Sequence, residues 1–268
     1  MHDCRKFKVS VNRRIGRQWA NFDPQVPESA LGLLDTCALA LLLSLAMHES
    51  EPVLDTKYEI PYEQRRLAIL QKLIPKGDGD KALDLGCGSG VISEMLRNHS
   101  WSVTAVDLHP GNVARAKEKG FLAIEGDVIS AVRSFADAQF GLVCATELIE
   151  HLDVEYRGEL LSGAIKAVRP GGYLLLSTPN RMSPVGLVGY YYLELMRGVR
   201  FKAWDNTHKR IYSSFEIHTA LKRAGWHIVR TVGYHYGSTA FSLPIEVSYR
   251  FPINRFGFNT MMLCRRAD

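Results

Sequence analysis

Two carboxylates and an imidazole fall at Glu147, Glu150 and His151, a spacing of i, i+3 and i+4. On a helix these side chains share one face. There they could hold a divalent cation, the carboxylates favouring a hard ion such as Mg²⁺. The same residues also read as the polar start of a helix, with acids complementing its dipole and His151 acting as a cap or a lone base. A second chemical cluster lies upstream. Ala82-Leu83-Asp84-Leu85 is an apolar strand running into Gly86-Cys87-Gly88-Ser89-Gly90, with a helix expected at once. Glycines there permit a tight turn and let a ligand lie on the backbone, while the helix N-terminus offers unpaired amide donors. The loop reads GxGxG, not the GxGxxG of dinucleotide sites.

The company of that loop strengthens it. Asp107 ends the next apolar run, 21 residues beyond Gly86, where an acid can accept from both hydroxyls of a nucleoside ribose. Gly126-Asp127 ends a third run, where a carboxylate could face an adenine amino group. Each acid alone reads equally well as a loop or helix cap. Three at successive strand ends match the rule that open α/β sheets bind ligands outside the carboxyl ends of their strands.

The elements that must position these residues follow from hydrophobic period and punctuation. Strands are expected at Lys81–Leu85, Trp101–Val106, Phe121–Ile124, Phe140–Ala145, Tyr173–Ser177, Trp226–Val232 and near Asn259–Cys264. Helices are expected at Val91–Asn98, Gly111–Lys119, Tyr156–Val168 and Ser214–Ala224. This alternation predicts an α/β fold, a parallel sheet with helices on both faces. Residues 29–74 read as an N-terminal helical extension, and 76–80 as a polar linker. The chain is thus read as 1–76, a basic arm with a helical extension or lid, and 77–268, the catalytic domain, carrying a cap insert at 182–204.

Composition narrows the classes. Five scattered cysteines with no CxxC pair argue against a disulfide framework or zinc cluster and for a reducing, cytoplasmic setting. Of 33 basic and 28 acidic residues, six and one fall within the first 20 positions, leaving 27 of each. Such an arm is either a solvated tail or a contact for an anionic surface, a membrane or a nucleic acid. Ala38–Met47 is the nearest approach to an apolar span and falls short of the roughly 18–20 residues a bilayer needs. It reads as a buried helix or a lid over substrate.

With LDLGCGSG, VTAVDLHP, Gly126-Asp127, FGLVCATELIEHL and RPGGYLLLSTPN in series, the chain resembles class I S-adenosylmethionine (SAM) dependent methyltransferases. The resemblance is close over 80–178 and looser to the C-terminus. It implies a Rossmann-like sheet of seven strands with the last antiparallel, and SAM as cofactor. It places the cofactor against Asp84, Gly86, Cys87, Gly88, Gly90, Asp107, Leu108, Gly126, Asp127, Val128 and Thr146. One departure is Gly141, where many members have Asp.

Glu147-Leu-Ile-Glu150-His151, Ser177-Thr-Pro-Asn180-Arg181 and Thr207-His208 are further similar to ubiquinone-biosynthesis O-methyltransferases. The agreement continues through Ala224-Gly225-Trp226 and Gly233-Tyr234-His235-Tyr236. The ExxEH pattern with a later His is also similar to RNA 3′-terminal 2′-O-methyltransferases. Both resemblances imply one metal constellation of Glu147, Glu150, His151 and His208, with His151, Glu147 and Glu150 as the catalytic residues. The expected reaction is SN2 methyl transfer to a hydroxyl of a small hydrophobic acceptor, with RNA 2′-O-, C- or N-methylation as alternatives. The insert is apolar and aromatic (Val185, Leu187, Val188, Tyr190–Leu193, Leu195, Met196) with Arg181, Arg197, Arg200, Lys202 and Trp204 around it. It suits a cap over a greasy pocket or peripheral contact with a membrane. It lacks the aromatic-on-strand pattern of an RNA-stacking surface, so no nucleic-acid partner is expected.

Overall fold

The computed structural model describes residues 61–196, 198, 202, 205, 207–235 and 248–268. The basic arm, the run Ala38–Met47, Arg197, Arg200, Trp204 and Tyr236 lie outside the described residues, as do the side chains of Val185 and Tyr192.

Seven strands form one sheet: β1 (Lys81–Leu85), β2 (Ser102–Asp107), β3 (Leu122–Glu125), β4 (Phe140–Thr146), β5 (Val168–Pro179), β6 (Trp226–Tyr234) and β7 (Asn259–Arg266). Their order is β3-β2-β1-β4-β5-β7-β6. The first five strands pair in parallel, and β7 runs antiparallel to both its neighbours. The helices are α1 (Pro61–Leu73), α2 (Val91–Asn98), α3 (Pro110–Glu118), α4 (Val128–Ser134), α5 (Tyr156–Ala167), α6 (Pro184–Gly189) and α7 (Ser214–Arg223).

Alternation along the strands divides the core into two faces. Leu83 and Leu85 of β1 point to the layer of α4, α5 and α7, joining Val143, Leu160, Leu161, Ile217 and Leu221. Ala82 points the other way, toward Ile69, Leu70 and Leu73 of α1 and Ile92 and Leu96 of α2. The helix Pro61–Leu73, which sequence pattern grouped with the N-terminal extension, is therefore part of the sheet's own core. Each fully buried leucine or isoleucine there contributes about 1.5–3 kcal/mol.

Local signals fix the helix starts. Ser213 and Glu216 close a capping box at the head of α7. Asp127 caps α4, accepting from Ser130 N at 2.8 Å. That helix has only seven residues, too few for its period to show in sequence. Strand β5 begins at Val168, ahead of the Pro170-Gly171-Gly172 turn expected to launch it, and its pairing with β4 shifts between Phe140 and Leu142. The departure at Gly141 has a local cause. A Cβ there would lie 2.3 Å from Asp80 Oδ2 and 2.8 Å from Trp101 Cζ3. Asp80 is held by Arg169 at 2.7 Å, so a side chain at 141 would displace an ion pair.

The three described cysteines, Cys87, Cys144 and Cys264, are buried free thiols. Among the described residues no helix is long and apolar enough to cross a membrane.

Candidate active site

The chain leaves β1 into a turn in which Gly86, Gly88 and Gly90 have φ of 70°, 54° and 82°, values that side chains disfavour. Gly86 N and Cys87 N donate to Val106 O at 2.8 and 3.0 Å, fastening the turn to β2. A Cβ on Gly88 would meet nothing within 4 Å, so the backbone there faces open space. Asp84 sits beneath the turn, 1% exposed, and accepts from Ser93 Oγ at 2.6 Å. Burial pushes its carboxyl up to about 6, against the pull of that hydrogen bond. Its side chain ties β1 to α2. Cys87 is likewise buried, its thiol pushed up to about 12 by burial and then by the charges of Asp84 and Asp107.

At the end of β2, Asp107 is 7% exposed. It accepts from Gly88 N (2.9 Å), His109 N (2.8 Å) and Asn112 Nδ2 (3.0 Å). Three donors lock the carboxylate in one orientation, and Leu108 beside it presents an open apolar face, 64% exposed. Gly126 N donates to Asp107 O at 3.0 Å, drawing the end of β3 to that of β2. Asp127 is exposed, its carboxyl below the usual range: the hydrogen bonds of α4's first turn outweigh a small burial cost. Val128 and Thr146 are buried at the head of α4 and the end of β4. A glycine-walled cradle, an oriented acid and an open apolar surface on adjacent strand ends fit an adenosyl group.

Beyond β4 the expected helical face does not form. Glu147 has φ 50°, and only Ile149–His151 makes a single 3₁₀ turn. Glu147 is therefore turned toward β5 and β7. Its Oε1 accepts from Ser177 Oγ at 2.7 Å and its Oε2 from Asn259 Nδ2 at 2.9 Å. Burial raises its pKa, opposed by the Arg66 guanidinium of α1, which is itself buried and paired with Glu63 at 2.7 Å.

Glu150, His151 and His208 do converge: one ligand atom from each lies within 4.8 Å of the others. Glu147 is not in that group. Glu150 is fully buried, and neither of its carboxylate oxygens has a hydrogen bond of normal geometry among the described residues. Burial, and then the neighbouring Glu147, push its pKa well above the carboxylate range.

The hydrogen bonds around the two imidazoles fix their tautomers. Thr207 Oγ1 donates its one proton to Asp205 Oδ1 at 2.6 Å, so its contact with His151 Nδ1 at 3.0 Å requires an Nδ1–H donor. His208 Nδ1 lies 2.7 Å from Lys202 O, and a carbonyl only accepts. In its neutral form each ring then carries its lone pair on Nε2, the arrangement of metal-bound histidines whose outer N–H is held by a second group; His208 Nε2 also lies 3.8 Å from Asp205 Oδ2. The ring centroids are 4.7 Å apart. Burial, and then His208, lower the pKa of His151. Asp205 lies below the usual range because bonds from Thr207 outweigh its burial.

Asp205, Ser177 and Asn259 were not singled out for a role by sequence pattern. Asp205 had a local signal, a turn in which Oδ1 accepts from Thr207 N at 2.7 Å. Asn259 had none, since it reaches Glu147 only through the placement of β7.

Comparison with known proteins bears directly on this arrangement. A family model described as a methyltransferase domain matches residues 58–231. An O-methyltransferase of ubiquinone biosynthesis from Paracidovorax citrulli is 26% identical over 209 residues, covering 76% of this chain and 83% of that protein. The protein of the same name from Methylobacterium nodulans is 31% identical over 187 residues, 65% of this chain and 72% of its own length. Among solved structures, a SAM-dependent methyltransferase from Archaeoglobus fulgidus superposes with a TM-score of 0.59 at 21% identity, covering 79% of this chain and 97% of that one. The fold and the cradle for an adenosyl group define a SAM-dependent enzyme. The chain belongs to the methyltransferase-domain family and is a SAM-dependent methyltransferase.

Proposed function

We propose that this methyltransferase acts on a hydroxyl oxygen of a small hydrophobic acceptor, with Glu150, His151 and His208 holding a divalent cation beside it. The observation that carries the reading is Glu150: a fully buried carboxyl with no hydrogen bond of normal geometry among the described residues, against two imidazoles whose neutral forms present Nε2. An unpaired buried carboxylate is costly, and a cation between these groups removes that cost. Two imidazoles and one carboxylate form a softer set than Mg²⁺ prefers and suit a borderline ion such as Zn²⁺. Such an ion supplies a lowered pKa to a coordinated acceptor hydroxyl.

The chain's own residues do the rest. The glycine turn and Asp107 fix the nucleoside, so the methyl carbon meets the acceptor oxygen in line with the departing thioether sulfur. Glu147, anchored on Ser177 and Asn259, is oriented to bind the acceptor or its proton. Asp205 and Thr207 hold His151 with Nε2 basic, which also allows His151 to take the acceptor proton directly.

Support for an apolar acceptor comes from the insert. Leu187, Val188, Tyr191, Leu195 and Met196 are 42–63% exposed, a run of exposed apolar side chains that suits a lipid-like acceptor or contact with a membrane surface. The relatives named for ubiquinone biosynthesis support a phenolic acceptor. The test is methyl transfer from labelled SAM to prenylated phenols, run with chelator and with Zn²⁺ or Mn²⁺ restored. Metal-restored activity is expected. Labelling confined to RNA would overturn the acceptor, and full activity in chelator would leave His151 as the sole base.

A further inference from the structure

A cavity of about 990 Å³ lies on the outer edge of the sheet, between β6, the C-terminal half of α7 and the 3₁₀ turn Ile253–Arg255. It is far from the methyl-transfer site. Strand β6 is separated from β4 by β5 and β7, about 14 Å at about 4.8 Å per strand. The cavity residues also occupy the start and middle of β6, away from the carboxyl ends where the cofactor cradle sits.

The charge of its wall is one-sided. Lys222, Arg230 and Arg255 line it with His218 and His227, and among the described residues no Asp or Glu does. Among the described residues none of the three permanent cations forms an ion pair. Arg255 is the most telling. Its Nε and Nη1 are buried without a hydrogen-bond acceptor, while its face rests 5.3 Å from the Phe215 ring centroid. A guanidinium is rarely left dry with two donors unused. The local potential is felt by His218, whose imidazole is pushed down to about 4 by burial and then by Arg255 and Lys222. Arg230 stacks 5.4 Å from the ring centroid of Tyr249, which with Val229 gives the cavity an apolar wall beside its cations.

We propose that this cavity is a binding site for a phosphate or phosphate ester, held by Arg255, Lys222 and Arg230. Three cations on the wall of one cavity, from a helix, a strand and a turn, match a multiply charged anion. A single carboxylate would satisfy one guanidinium and leave the other charges unmatched. The volume admits more than the phosphate itself, and Tyr249 and Val229 would carry an apolar substituent.

Calorimetry on the full chain with inorganic phosphate, and co-sedimentation with phosphatidylcholine vesicles containing phosphatidic acid, separate the two sources of that group. Each is repeated on Arg255→Gln and on Lys222→Glu/Arg230→Glu, with S-adenosylhomocysteine affinity as the check that the fold is intact. Loss of phosphate affinity by about tenfold or more in the variants, with S-adenosylhomocysteine binding retained, supports a soluble phosphate compound. Variant-sensitive binding to the acidic vesicles alone supports a lipid headgroup. Absence of both, or binding that both variants leave unchanged, overturns the site. If Arg255→Gln impairs S-adenosylhomocysteine binding, the charge-reversed pair decides, since both its residues are exposed.

Discussion

Asp107 and Glu150 are both buried carboxylates at the same edge of one sheet, yet their surroundings differ. Asp107 takes hydrogen bonds from three donors before any ligand arrives. Glu150 takes none of normal geometry among the described residues. The nucleoside end is finished by the fold alone, and ligand binding there adds to a rigid frame. The acceptor end is left with an electrostatic deficit that something must fill. On the proposed function, one end serves affinity and the other chemistry, where poised, unsatisfied groups are the working material.

The sharpest way to break this contrast is at the finished end. Asp107→Ala removes the ribose acceptor and releases Gly88, His109 and Asn112 together. Affinity for S-adenosylhomocysteine, read by calorimetry, should fall by about 100-fold or more, two charge-assisted hydrogen bonds at about 1.5–3 kcal/mol each. A loss below about fivefold would mean the acid does not face the nucleoside.

At the unfinished end, Glu150→Gln should separate activity from stability. The isosteric amide replaces a carboxyl that burial already pushes toward its neutral form, so the melting temperature of the chelated protein should hold. Methyl transfer should drop by about tenfold or more, and any stabilisation by Zn²⁺ should vanish. A destabilised variant that keeps its activity would show that Glu150 is structural.

Asp84 allows a test by pH. The folded protein favours its protonated form, since burial pushes its carboxyl up to about 6 from an ordinary 3.8. The contribution of this group to stability is therefore greatest below pH 3.8 and is lost as the pH climbs to 6. The loss is on the order of 3 kcal/mol in total. Asp84→Asn should flatten that decline in denaturant titrations across this window while Ser93 keeps its acceptor. An unchanged slope would show that the carboxyl is not desolvated.

The smallest effect on the fold is expected in the insert. Tyr191→Ser with Leu195→Ser should leave stability within about 0.5 kcal/mol, because both side chains are exposed. It should nonetheless raise KM for an apolar acceptor or weaken binding to vesicles. No change in either would remove the insert from substrate handling.

The same contrast explains what could be read from the sequence. The residues expected to frame the nucleoside lie between Asp84 and Val128, save Thr146 at the end of β4, within consecutive strand-turn-helix units, so glycine spacing and strand ends mark most of them out directly. The expected seven-stranded sheet formed, with its last strand antiparallel as the family resemblance implied. The acceptor end draws on residues 147–151, 177, 205–208 and 259, with Arg66 nearby, joined only by tertiary structure. Glu147 shows what periodicity misses. A helical spacing placed it with Glu150 and His151, but a left-handed backbone turn sends its side chain to Ser177 and Asn259 instead. Nothing local announces that turn, because glutamate rarely adopts it.

Strand β7 follows both β5 and β6 in the chain but lies between them. It therefore pairs on both sides, and one segment seams the parallel half of the sheet to its outermost strand. Asn259 stands at the head of that seam and donates to Glu147, so any slip of β7 would disturb the sheet's closure and the orientation of this carboxylate together.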